Sequence, residues 1–225
     1  MKNRAILRIM AFALCLCALM LASCEKKQEF DFTLDSNGNY VDEKSGVTYV
    51  PVPFSYEAIE MGEGEVYTYG YQVMYPIVGV DPSEWIVDSV TGIVFRNANT
   101  PLPTFEEMKL SSVQLVRDSA MKTFVTDPSK IEQLRDLYLD GVRVERPNGQ
   151  VFEPMTLRYC DSSIGICYVL TYYEYVEEQT VFDANGEEIG KGKFFLYDRC
   201  EDVCVMIDGL PEDLLSSKSE TKAEG

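Results

Sequence analysis

Histidine is absent from all 225 residues. With no imidazole, Ser-His-Asp and Cys-His nucleophiles, HExxH metalloprotease helices and His-ligated zinc are excluded. Basic residues are scarce. Lys and Arg total 20 against 37 Asp and Glu, a net charge of −17. That field repels phosphate backbones and anionic headgroups, which excludes nucleic acid as a partner. A membrane-spanning run is also missing. The apolar stretch from Ile9 to Ala22 has 14 residues, short of the roughly 20 that cross a bilayer as a helix. Gly62 and Gly64 lack the third glycine of a dinucleotide fingerprint, and Glu60, Glu63 and Glu65 beside them would repel a phosphate.

Apolar residues at 46% and charged residues at 25% are an ordinary globular mix, enough for one well-cored domain or two small ones. Lys2, Arg4 and Arg8 precede the apolar stretch, so residues 1–23 read as an export signal. The stretch ends in Leu21-Ala22-Ser23-Cys24. This resembles the lipobox of bacterial lipoproteins, with Leu three before the Cys and small residues between. The resemblance implies cleavage before Cys24 and a thioether-linked diacylglycerol on its sulfur. Each buried methylene contributes about 0.8 kcal/mol, so two or three palmitate-type chains hold a protein durably. The expected location is the extracytoplasmic face of a bacterial cell membrane or outer membrane. Cleavage removes three bases and no acid, which moves the net charge from −17 to −20.

Residues 24–34 read as the lipidated Cys and a flexible tether, 35–215 as a β-rich domain, and 216–225 as a polar, disordered tail. Pro101 and Pro103 mark a subdomain break near 97–104. Asp35-Ser36-Asn37-Gly38, Pro147-Asn148-Gly149 and Ala184-Asn185-Gly186 are hairpin signals. Residues 66–77 read as one long strand. Asp127-Pro128 caps a helix over 128–140, with Ile131, Leu134, Leu137 and Tyr138 on one face and Gly141 as a left-handed stop. No internal repeat is evident. The expected class is α+β and β-rich, with antiparallel sheets and the helix packed on one face.

Cys15 and Cys17 leave with the signal and Cys24 is acylated, so Cys160, Cys167, Cys200 and Cys204 remain. An even number in an exported protein points to disulfides. Cys160 faces Cys167 if residues 163–164 tip a hairpin, and Cys200 with Cys204 closes a second loop. Free thiols in a reducing habitat are the alternative. The six-residue gap between Cys160 and Cys167 does not suit zinc, and no metal or cofactor is expected. Asp35 to Asp42 departs from a calcium loop, because Gly38 and Gly46 fall at the wrong positions.

Tyr67, Tyr69, Tyr71 and Tyr75 would line one face of the 66–77 strand, a stripe able to stack sugars or clamp a peptide if exposed, and a core face if buried. Acid pairs such as Glu57/Glu60, Glu106/Glu107, Glu174/Glu177 and Asp198/Asp202 offer glycosidase chemistry without histidine. A solvated acidic surface is the favoured reading of them. The leading expectation is a membrane-anchored, non-enzymatic module that binds protein, peptide or glycan or serves envelope assembly. The alternatives are a carboxylate-based glycan hydrolase and a solute-binding component of an importer.

Overall fold

The structure is a computed structural model, and it describes residues 30–69 and 72–212. The signal run, the 21–24 site, the first tether residues, Tyr71 and the 213–225 tail lie outside the described residues.

Two antiparallel sheets and one helix make up the described chain, a β-rich α+β fold. The first sheet holds β1 (Phe32–Leu34), β2 (Tyr40–Asp42), β3 (Thr48–Pro51), β5 (Tyr67–Tyr69), β6 (Gln72–Pro76), β7 (Trp85–Asp88) and β8 (Val94–Asn97). Its order is β1-β2-β3-β8-β7-β6-β5. The second holds β9 (Ser112–Arg117), β10 (Ala120–Val125), β11 (Val142–Val144), β12 (Met155–Asp161), β13 (Ile166–Phe182), β14 (Glu188–Asp198) and β15 (Val203–Ile207). Its order is β10-β9-β12-β13-β14-β15-β11. Strand β4 (Tyr56–Ala58) leaves the first sheet and pairs with β13 of the second.

The first sheet contains a duplication that the sequence reading missed. Residues 35–50 align with 81–96, with Asp35/Asp81, Val41/Val87, Asp42/Asp88 and Gly46/Gly92 identical. Both turns use the same bonds. Gly46 N–H donates to the Asp42 carbonyl at 2.7 Å, and Gly92 N–H to that of Asp88 at 2.7 Å. Ser45 Oγ donates to the Asp42 carboxylate as Thr91 Oγ1 does to Asp88. Both glycines sit at φ +72°, which only glycine adopts without strain. The two meanders meet along β3 and β8. Val50 pairs with its own counterpart Arg96, and Tyr49↔Asn97 mirrors Pro51↔Phe95, so an approximate two-fold relates the units. Only four positions of this stretch are identical, which is why the repeat is hard to see in sequence alone.

This sheet curls until its edges touch. The Tyr67 hydroxyl donates to the Phe32 carbonyl at 2.7 Å, and the two rings lie 4.7 Å apart edge to face. Phe32, Tyr40, Tyr49, Met74, Ile86 and Phe95 fill the inside. The outer face, with Trp85, Val87 and Val94, packs on Ile166 of the second sheet.

Helix α1 (Pro128–Leu139) lies on one face of the second sheet. Asp127 accepts from the amides of Ser129 and Lys130, and Pro128 occupies the first turn. Ile131, Leu134 and Tyr138 enter the main core beside Leu115, Leu157 and Leu196. Gly141 is not the left-handed stop that was expected. Asp140 caps the helix at φ −96°. Gly141 is required for space, since a Cβ there would lie 2.1 Å from Val205 Cγ1.

Candidate functional site

Asp198 ends β14 with no exposure to solvent. A buried carboxylate is tolerated only when donors surround it. Its Oδ1 accepts from Ser55 Oγ at 2.9 Å and from the amides of Cys200 at 2.9 Å and Glu201 at 3.2 Å. Its Oδ2 accepts from the Tyr138 hydroxyl at 3.2 Å and from that of Tyr168. Burial, together with the charge of Asp198, pushes both phenols well above the ordinary tyrosine range. The carboxylate thus joins the loop after β3, helix α1, β13 and the β14–β15 turn.

The cysteines divide. Cys160 and Cys167 form a disulfide between directly opposed residues of β12 and β13. The Cys160 carbonyl accepts from Ser111 on the far side of β12, so the pair is a non-hydrogen-bonded one, with Cα atoms 3.9 Å apart. The expected second bridge is corrected: Cys200 and Cys204 are separate thiols. Cys200 lies in the turn, where its Sγ accepts from the Ser55 amide at 3.0 Å. Cys204 is packed beside Tyr175 and Phe195 on the sheet's second face, and burial pushes its thiol up to about 12.

The single-face tyrosine stripe is also corrected. Tyr69 pairs with Gln72, so the chain reverses between β5 and β6 instead of running straight. Tyr67 therefore packs against the interior of the curled sheet and Tyr75 against its outer face. Gly70, Tyr71 and the side chain of Tyr69 lie outside the described residues.

Several of the paired acids are held by neighbours. Glu57 binds Arg158 at 2.7 Å, Glu174 binds Lys193 at 3.1 Å, and Asp202 accepts from the Tyr197 hydroxyl at 2.8 Å. Asp35 and Asp42 accept hydrogen bonds from their own turns. Among the described residues, no group of three or more Cys, Asp or Glu side chains could hold a metal ion.

A cleft of about 940 Å³ lies between α1 and the β14–β15 strands. Leu137, Val142, Phe194 and Met206 form an apolar floor. Glu132, Asp136 and Asp140 of the helix stand on one wall, and Lys191 and Lys193 on the other. Gly192 also lines the cleft and has no room for a side chain, because a Cβ there would meet Met206 Sδ at 2.5 Å. No protein-family model, curated protein or solved structure matches the chain. The acids of this wall are spaced by four in the sequence, but nothing there tells which strands face them. Asp198 carried even less signal, since its five donors come from segments up to 143 residues away.

Proposed function

We propose that this chain is a lipid-anchored extracytoplasmic protein whose β-rich domain binds a polypeptide or glycan, without chemistry, in the cleft between α1 and β14–β15. The cleft carries the reading. It combines an apolar floor with convergent charged groups, the usual make-up of a ligand site. The basic start, short apolar run and Leu21-Ala22-Ser23-Cys24 support the anchor.

Two arms test this. Val142 is 48% exposed on the cleft floor, so Val142→Trp fills the space with little cost to packing; Val90→Trp, at a 65% exposed site on the β7–β8 turn, is the control. Peptide and oligosaccharide arrays probed with detergent-solubilised protein are expected to give ligands lost in Val142→Trp and kept in Val90→Trp. Ligands kept in both variants would overturn the cleft as the site. For the anchor, Cys24→Ser is expected to move the protein from the detergent phase to the aqueous phase. Unchanged partitioning would refute lipidation at Cys24.

A further inference from the structure

Glu132, Asp136 and Asp140 fall at i, i+4 and i+8, so they form one ridge along α1. All three line the cleft and are exposed. Like charges four apart repel, and Asp136 and Asp140 also sit at the helix C-terminus, where the macrodipole disfavours acids. The last turn carries no basic residue to offset them. Departures from helix rules of this kind are expected at functional or strained sites.

Glu132 pairs with Arg135 of its own helix at 3.8 Å. The opposite wall brings Lys191 and Lys193, but with Glu178 and Asp208 the acids of the lining outnumber its bases five to two. Lys193 is already paired with Glu174 at 3.1 Å and lies over the Phe152 and Phe194 rings. Between the walls lie Leu137, Phe194 and Met206. We infer that the cleft takes a cationic, amphipathic polypeptide segment, with Lys or Arg side chains against the α1 ridge and apolar side chains on the floor. This inference rests on the cleft being the binding site. Charge complementarity of this kind steers encounter and selects partners. An anionic glycan would meet the same ridge as a repulsion.

The probe is a short synthetic peptide alternating lysine and leucine, with its serine–leucine and glutamate–leucine counterparts as references. Titration uses detergent-solubilised mature protein. Asp136→Asn/Asp140→Asn is compared with Glu43→Gln/Glu187→Gln, which removes the same charge at exposed sites outside the cleft. Lysine–leucine affinity is expected to fall by about tenfold or more in the cleft variant and by about twofold or less in the control. Equal losses would mean that overall negative charge does the attracting, and the proposal would fail. If the serine–leucine peptide binds as tightly and only Val142→Trp weakens it, the cleft reading stands and the cationic class falls. If Val142→Trp weakens none of the peptides, both fall together.

Discussion

Asp198 shows how a single residue can set several segments at once. It accepts five hydrogen bonds from four parts of the chain. Removing it leaves the buried Ser55, Tyr138 and Tyr168 hydroxyls without their acceptor. Asp198→Ala is expected to lower the unfolding free energy by about 3 kcal/mol or more. Urea denaturation reads this as a shifted midpoint, and a loss below about 1 kcal/mol would contradict the hub. The free thiols differ in the same local terms. Cys204 is buried with its pKa pushed up to about 12, whereas Cys200 is partly exposed. Iodoacetamide at pH 8 is expected to label Cys200 alone in the native protein and both after unfolding, as read by peptide mass spectrometry. Native labelling of Cys204 would contradict its placement. Asp42 gives a pH dependence. Burial alone would raise its pKa, but the Ser45 hydroxyl and the amides of Asp31, Lys44 and Ser45 outweigh this and hold it below the ordinary range. Its stabilisation is therefore complete above the unfolded value of about 3.9 and is lost as pH falls through the lower folded value. The stability gap between wild type and Asp42→Asn should be constant from neutral pH down to about pH 4 and close below it. A gap that widens on acidification would reverse the sign.

At the scale of elements, the sequence was most legible where chemistry is local. Asp127-Pro128 and the Ile131/Leu134/Tyr138 face foretold α1, and the structure places Asp127 and those three residues as the cap and buried face. Asn185-Gly186 foretold the β13–β14 turn, where Gly186 has φ +78°. Facing strands brought Cys160 and Cys167 together for the same reason. What failed was non-local. A reversal between Tyr69 and Gln72 lies within an unbroken β-forming run, so Tyr67 and Tyr75 look like one face until the pairing is known. Gly141 resembles a left-handed stop in sequence, but contact with Val205 decides it. Curling of the first sheet depends on one such non-local contact. Tyr67→Phe keeps the ring and removes the bond to the Phe32 carbonyl, and is expected to cost about 1 kcal/mol. Hydrogen exchange should then quicken in β1 and β5 before the second sheet. Equal exchange in both sheets would show that the contact does not close the curl.

At the scale of the whole molecule, two sheets divide the labour. The first is built from a duplicated meander and packs Phe32, Tyr40, Tyr49, Tyr67 and Phe95 into its own interior. The second carries the helix, the disulfide, the buried carboxylate and the cleft. Strand β4 and Ser55 fasten one to the other. An acyl group on Cys24 would hold this body near a membrane surface through a tether of a few residues. The net charge of the mature chain, −20 from the sequence, would then keep it off anionic headgroups. The cleft as the working surface is tested most directly by hydrogen exchange of the solubilised protein with and without the lysine–leucine peptide. The account predicts slowed exchange in residues 129–142 and 191–208, with β1–β3 unchanged. Protection confined to other segments, or none at saturating peptide, would contradict it.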